Sequence, residues 1–388
     1  METKSSNLEN NIKGQTIRDE LEKIIIPSSK VFICGHNRPD YDAIGSAAGI
    51  LSITEQLGRK AHIVVKETGA ELDSDIQKII TDLGSKLNII NLEEFDKLVN
   101  DNSILIATDT NKINRNPLKN RLDKFKKILI IDHHDIKEDE IIPDATRLIY
   151  PEASSACELV SLALLANKKD RKKKEFKINK DIATLLYAGI ELDTNRFYSK
   201  TTTNLTHAVA DKLLENGADK EYINRLFRVD RATYNDIANL IINGTIIKQY
   251  TKDFKELGIG FTLNREFPSS IYTQEILAQA AVTQVSFKDT DASFVMGYIK
   301  PGKVKICARS SNDAVNVGKI LEKFHGGGGA NSAAADYYSD NILEDDHKLM
   351  DIVEEFLSLE ETPVIELEPD LTPEPRNFRR IKVKRKKK

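Results

Sequence analysis

The stretch GHNRPDYDAIG (35–45) places one histidine and two aspartates within seven residues, directly after the apolar run VFIC. Taken alone, His-x-x-x-Asp-x-Asp is compatible with a solvated turn. Its meaning depends on whether other acids and imidazoles reach the same place from elsewhere in the chain. Upstream, GQTIRDELEKII reads as a lead-in helix and KVFICG (30–35) as a buried strand; downstream, AIGSAAGILSITEQLG (43–58) reads as a helix whose small residues permit close packing. AHIVV, LNIIN, SILIATD (103–109) and KILIIDHH (127–134) read as further strands, with IQKIITDLG a helix among them. Ser155 and Glu158 in SSACELVSLALLAN have the spacing of a capping box at a helix start. Continuous apolar strands separated by helices predict a mainly parallel, doubly wound α/β sheet covered on both faces.

Ligands of such sheets bind beyond the carboxyl ends of the strands. His36 follows VFICG, Asp109 follows SILIAT, and Asp132, His133 and His134 follow ILII. Asp193 ends the helical run IATLLYAGIELD. Taken as one site, His36, Asp40, Asp42, Asp109, His133 and Asp193 combine four carboxylates with two imidazoles. Two divalent cations would neutralise the four acids, which without them would repel one another in a partly buried cleft. Carboxylate-rich ligation lacking thiolate favours Mn²⁺ or Mg²⁺ over a structural zinc site. A pair of such ions ~3.5–4 Å apart suits phosphodiester hydrolysis, by generating a nucleophile from water and holding the phosphate in line. The competing reading gives each acid a turn or cap role; Asp42, just ahead of a helix, fits an N-cap without excluding ligation.

The chain's 388 residues exceed one typical domain and suit two. Apolar content is ordinary and the net charge of −3 argues against gross polyanion binding or wholesale disorder. Cys34, Cys157 and Cys307 are odd in number and widely spaced, a pattern of reduced buried thiols. No apolar run approaches the ~18 residues of a membrane span and METKSSNLENN has no signal-peptide core, so a soluble, cytoplasmic protein is expected. NKKDRKKKEFK (167–177) reads as a charged loop. Residues 361–388, acidic and proline-rich before a basic KRKKK end, read as a disordered tail.

After two helical stretches (206–245), read as a linker, a second alternation follows. Pro301-Gly302 marks a hairpin between ASFVMGYI and KVKICARS, followed by the helix NVGKILEKF and then HGGGGANSAAADYY. This half predicts a smaller α+β domain across a cleft from the first. Arg309 and Ser310 end a strand, where a solvated arginine is the ordinary reading, although the planar fork of a guanidinium also suits a phosphate where one is present. Gly326, Gly327, Gly328 and Gly329 lack Cβ atoms, so their backbone either approaches a ligand closely or forms a flexible turn.

GHNRPDYDAIG, ATDT, IDHH and GIELDT resemble, in order, the four motifs of the DHH phosphoesterase superfamily. The second half resembles the DHHA1 domain through CARS, VNV and GGGG. More narrowly, EASSACELV, LDTNRFYSKTT and ENGADKEYINRLF resemble the catalytic part of GdpP-type cyclic-di-AMP phosphodiesterases. The resemblance implies a lead-in helix (1–27), a DHH catalytic domain (28–205), the helical linker, a DHHA1 substrate domain (246–360) and the tail. It implies two Mn²⁺ ions, with Mg²⁺ or Co²⁺ as substitutes: His36, Asp40 and Asp109 on one, Asp42, Asp109, His133 and Asp193 on the other. Asp132 would orient a ligating imidazole and His134 would touch the substrate phosphate or leaving oxygen. Arg309, Ser310 and Gly326 to Gly329 would contact substrate. Relatives place a histidine directly after the glycines; Ala330 stands there, so His325 or Asn331 is expected to compensate. The implied activity is two-metal hydrolysis of cyclic di-AMP to pApA and onward to AMP. The alternatives are an oligoribonuclease (nanoRNase) with 3′-phosphoadenosine-5′-phosphate phosphatase activity and, in another class, a non-catalytic nucleotide sensor, which would be expected to lose ligands that this chain keeps. A small adenine nucleotide is the expected partner and a homodimer an expected assembly.

Overall fold

A computed structural model describes residues 11–66, 74–136, 140–166, 175–250, 256–263, 273–312, 314–339, 341–357, 364–367 and 381–384. Two compact units divide the chain, residues 1–228 and 229–388.

In the first unit the order is α1 (Ile12–Ile25), β1 (Lys30–Cys34), α2 (Tyr41–Gln56), β2 (Ala61–Val64), α3 (Ser74–Leu87), β3 (Ile89–Ile90), α4 (Leu92–Leu98), β4 (Ser103–Thr108), β5 (Lys127–Asp132), β6 (Ala145–Ile149), α5 (Ala156–Leu165), α6 (Lys180–Asp193), α7 (Asn204–Glu215) and α8 (Lys220–Leu226). All six strands run parallel, in the order β3-β2-β1-β4-β5-β6. Strand alternation divides their apolar side chains between two cores. Val31, Ile33, Ile104, Ile106, Leu129 and Ile131 face one core. Phe32, Cys34, Leu105, Ala107, Ile128 and Ile130 face the other. A sheet buried on both faces needs continuous apolar strands, which is why VFIC, ILIA and ILII carry no polar alternation.

The strand order reverses between β1 and β4: the chain runs outward through β2 and β3, then returns to lay β4 against β1. Ligand crevices open at such a reversal. His36 follows β1 there, and Asp109 follows β4.

Helices α2, α5 and α6 meet through glycines. A Cβ on Gly45 would lie 2.5 Å from the Leu185 carbonyl oxygen, and one on Gly189 would lie 2.4 Å from Cys157 Sγ and 2.9 Å from Asp42 Cα. The close packing expected of AIGSAAG is therefore present, and it brings the start of α2 against α6.

In the second unit α9 (Arg231–Ile242) precedes β7 (Thr245–Tyr250), β8 (Glu256–Leu263), α10 (Gln274–Val285), β9 (Ala292–Lys300), β10 (Lys303–Ser310), α11 (Val317–Glu322), β11 (Gly327–Gly328), β12 (Ser332–Tyr338) and α12 (Ile342–Leu357). Its six-stranded sheet, ordered β11-β12-β10-β9-β8-β7, is antiparallel except for the β8–β9 pair. The β9–β10 hairpin turns at Pro301-Gly302, where Gly302 takes φ +69°.

Two expectations change. The stretch read as a linker divides between the units: Val209, Leu213, Ile223 and Leu226 join the first unit's core, while Ile237 and Leu240 pack with Leu277 and Ala280 in the second. Within 361–388, read as a disordered tail, VIEL (β13, Val364–Leu367) pairs antiparallel with IKVK (β14, Ile381–Lys384), short runs of strand-favouring β-branched residues; the rest of that segment, and most of the charged loop 167–177, lie outside the described residues.

Candidate metal centre

Asp40 is the N-cap of α2, and its Oδ1 accepts hydrogen bonds from the N–H groups of Asp42 (2.9 Å) and Ala43 (3.1 Å). Its other oxygen lies 3.6 Å from His36 Nε2, and that nitrogen is 3.5 Å from Asp109 Oδ2. Asp109 sits just beyond β4 with φ +55°, a left-handed conformation that aspartate tolerates better than most residues. Its carboxylate is 3 % exposed.

Asp42, not Asp40, is the fully buried acid of the pair. The first turn of α5 grips it, with the N–H of Ala156 donating to Oδ2 (2.7 Å) and that of Cys157 to Oδ1 (2.8 Å). The N-cap role considered for Asp42 thus belongs to Asp40 within α2. His133 Nε2 lies 3.1 Å from Asp193 Oδ2, 3.5 Å from Asp109 Oδ1 and 3.8 Å from Asp42 Oδ2. Asp132 Oδ1 accepts from the N–H groups of His133 (2.8 Å) and His134 (3.3 Å) and lies 2.9 Å from His134 Nδ1. Tyr41, between the two acids, donates its hydroxyl to the Leu226 carbonyl and sets its ring edge-on to Phe227, anchoring this corner to the end of α8.

The structure therefore brings all six expected ligands together. Donor atoms of His36, Asp40 and Asp109 cluster within 4.8 Å of one another, as do those of Asp42, Asp109, His133 and Asp193, and those of Asp109, Asp132, His133 and His134. Asp109 belongs to every group.

Electrostatics marks the same atoms. Burial and then the charge of Asp42 push Asp109 well above the ordinary carboxylate range. Burial and the charge of Asp193, partly offset by His133, raise Asp42 to about 7. Burial opposes a charged His133, yet the carboxylates of Asp109 and Asp193 drive its pKa well upward. Asp40 is the exception: against its partial burial, its hydrogen bond and charge contact with His36 and the α2 N–H groups hold it at about 2. Protons must hold such a cluster together wherever cations do not.

Buried polar atoms without a hydrogen-bond partner sharpen the test. Among the described residues, Thr108 Oγ1, Asp109 Oδ1, Thr110 Oγ1, Asn111 Oδ1, Asp132 Oδ2 and His133 Nε2 are all in this state. Buried orphans are rare, so their gathering in two short segments at one strand-end crevice fits a bound cation with its water. The donor set, oxygen-rich with two imidazoles and no thiolate, accepts Mn²⁺ or Mg²⁺.

The site contains residues that sequence reading passed over. Asn111 donates Nδ2 to the His134 carbonyl (3.1 Å), tying the end of β4 to the histidine pair. Its only signal in the sequence is a polar run, TDTN, directly after a buried strand. Ser155 caps the Glu158 N–H (3.0 Å), but the Glu158 carboxylate does not return the bond as a capping box requires; it takes the hydroxyls of Ser154 and Thr206 instead.

In the second unit the expected substrate residues are mostly engaged locally. Ser310 Oγ donates to the Asn312 carbonyl (2.8 Å) and accepts from its N–H (3.1 Å). Asn331 Nδ2 donates to the Ser310 carbonyl (3.0 Å), so this amide links β10 to the start of β12. His325 is exposed at φ +56°, with its N–H bonded to the Glu322 carbonyl and that of Gly326 to the Leu321 carbonyl. That is a Schellman ending of α11, with histidine in the place glycine usually takes. A Cβ on Gly326 or Gly328 would collide with β12, whereas Gly327 and Gly329 face open space. Arg309 differs: half-buried, it donates only to the Ala308 carbonyl and has no carboxylate partner among the described residues.

Among the described residues no helix is long and apolar enough to cross a membrane. The cyclic-di-AMP phosphodiesterase GdpP of Geobacillus thermodenitrificans is 30% identical over 351 residues, covering 89% of this chain and 50% of that protein. The chain thus spans about half the length of the curated relatives of that kind. The bifunctional oligoribonuclease and PAP phosphatase NrnA of Mycoplasma genitalium is 25% identical over 329 residues, 84% of this chain and 92% of that one. A crystal structure of an exopolyphosphatase-related protein from Bacteroides fragilis shares the fold, with a TM-score of 0.71 at 22% identity over 88% of this chain and 96% of that one. Residues 30–190, which hold β1, β4, β5 and the acids that follow them, match the family model described as DHH family, N-terminal domain, and that stretch of the chain is a DHH-family domain.

Proposed function

We propose that the chain is a phosphodiesterase dependent on two divalent cations, Mn²⁺ by preference, that opens cyclic di-AMP to pApA. The observation that carries this reading is the convergence of four carboxylates and two imidazoles on Asp109 amid unpartnered buried polar atoms. Its substrate is argued from the 30% identity to cyclic-di-AMP phosphodiesterases over nearly the whole chain.

In this reading His36, Asp40 and Asp109 hold one cation and Asp42, Asp109, His133 and Asp193 the other, with Asp109 shared. When bound, such a pair makes water nucleophilic near neutral pH and neutralises charge developing on the phosphate. The remaining work falls to the chain's own groups. Asp132 orients His134 by accepting from Nδ1–H; with Nε2 also protonated, the imidazolium donates that N–H to the substrate phosphate or gives the proton to the leaving oxygen. Asn111 holds the carbonyl of the same histidine. Arg309 supplies a guanidinium to a substrate phosphate, for which its planar fork of donors is suited.

A second reading, oligoribonuclease with 3′-phosphoadenosine-5′-phosphate phosphatase activity, is supported by the 25% identity to NrnA over 84% of this chain. The same ligands would serve both. Purified protein incubated with Mn²⁺ and cyclic di-AMP, pApA or 3′-phosphoadenosine-5′-phosphate, with products separated by chromatography, decides between them. Cyclic di-AMP converted to pApA supports the first; cyclic di-AMP left intact while pApA is cut supports the second. No hydrolysis of any of the three, with or without Mn²⁺, overturns both.

A further inference from the structure

One buried acid near the centre is not among the proposed ligands. Glu158, in the first turn of α5, is 3 % exposed, and no cationic side chain pairs with it among the described residues. Its Oε2 instead accepts the Ser154 and Thr206 hydroxyls, both at 2.6 Å, the short distance of charge-assisted bonds. Thr206 lies in the first turn of α7, where its hydroxyl also accepts the Thr203 N–H (3.0 Å). In the two residues before Glu158, the same turn of α5 delivers the N–H groups of Ala156 and Cys157 to the two oxygens of Asp42. Residues 154–158 thus form one clamp, with Asp42 at one end and α7 at the other. Cys157 Sγ fills the gap left by Gly45 and Gly189, so α5 has little room to shift.

We propose that Glu158 is a positioning residue for Asp42: by tying the first turn of α5 to Thr206 of α7, it holds two N–H groups on the Asp42 carboxylate and fixes the direction in which that carboxylate presents its remaining lone pairs to a cation. The inference rests on the reading of Asp42 as a cation ligand. A carboxylate accepting one N–H per oxygen keeps one well-directed lone pair on each; if α5 rotates or slides, that direction is lost. Partners behind a ligand commonly tune metal affinity 10- to 100-fold, and this clamp belongs to that class.

The test is calorimetric titration of the metal-stripped chain with Mn²⁺, alongside circular dichroism and the melting temperature of the stripped protein. Thr206→Val and Glu158→Leu are expected to weaken Mn²⁺ binding about tenfold or more. Thr206→Ser, which keeps the hydroxyl, and Glu158→Gln, whose amide oxygen still accepts, are expected to stay close to the wild type. If Glu158→Leu fails to fold, the Thr206 pair decides alone. Folded Thr206→Val binding Mn²⁺ as tightly as Thr206→Ser would overturn the proposal, leaving Glu158 a purely structural acid that moves melting temperature only. A wild type that binds no Mn²⁺, or a folded Asp42→Asn variant that binds it unchanged, would instead overturn the ligand reading beneath it.

Discussion

Residues 108–133 of the first unit and 309–331 of the second both carry family-like polar motifs, yet they treat their polar atoms in opposite ways. In the first, six buried polar atoms have no hydrogen-bond partner, and burial together with the charge of Asp42 pushes Asp109 well above the ordinary carboxylate range. In the second, Ser310 and Asn331 bond each other, and the backbone N–H groups of His325 and Gly326 close the end of α11. Leaving a buried polar atom unpaired costs about 1–3 kcal/mol, so a fold tolerates several together only where something else completes them. The contrast separates polar residues that wait for a ligand from polar residues that build a turn.

The strongest way to break the comparison is Asp109→Asn. Asparagine accepts the left-handed backbone at this position, so the fold should survive. Losing a shared ligand removes several kcal/mol of charge stabilisation, and at 1.36 kcal/mol per decade hydrolysis should drop by ~10³-fold or more. Mn²⁺ calorimetry and a product assay on the same preparation check this; retained binding with full stoichiometry would refute Asp109 as the shared ligand.

Arg309→Ala probes the one residue of the second region that behaves like the first. A charged hydrogen bond contributes roughly 1.5–3 kcal/mol, so kcat/KM should fall about 10- to 100-fold, mainly through KM. Arg309→Lys should restore only part of it, because an ammonium cannot reproduce the planar fork. An unchanged KM would return Arg309 to the structural group.

Much of the candidate centre was legible because its proposed ligands follow the most readable elements. β1, β4 and β5 are unbroken apolar runs, and an acid or imidazole at the end of each stands out. The pairing of Asp42 with α5 was not legible, since it joins residues 114 apart through backbone N–H groups that no side-chain pattern announces. β6 escaped because ATRLI carries exposed Thr146 and Arg147 at the sheet edge, and α4 because only Phe95 is buried in its seven residues. In the second unit, Ser310 and His325 had the right types in the right order, but type and order do not reveal whether a hydroxyl is already bonded or a histidine caps a helix.

His325→Gly tests that last point with a smaller effect. If the imidazole only occupies a helix-ending position, KM for the dinucleotide should not change. Stability should rise by up to ~1 kcal/mol as the side chain's left-handed penalty disappears. A raised KM would instead make His325 the replacement for the histidine that Ala330 displaces, and the second region would then hold two ligand-seeking residues.

The smallest effect comes from an aspartate that protein cations already complete. Asp96 accepts from Arg121 Nε (3.0 Å) and Nη2 (2.7 Å) and from Lys124 Nζ (2.7 Å), and these hydrogen bonds, Arg121 first, hold it far below the ordinary carboxylate range. Its partners are partly solvated, so the cluster is expected to contribute at most ~1 kcal/mol. Because the folded pKa is depressed, that contribution is complete above the unfolded carboxylate range near about 4 and fades as pH falls through the folded value. Urea unfolding of Asp96→Asn should therefore show a small deficit at neutral pH that closes in strong acid, with Mn²⁺ affinity unchanged. If an acid so fully paired altered cation binding as much as Asp109 does, the presence or absence of a partner would not be what distinguishes a ligand from a scaffold residue in this molecule.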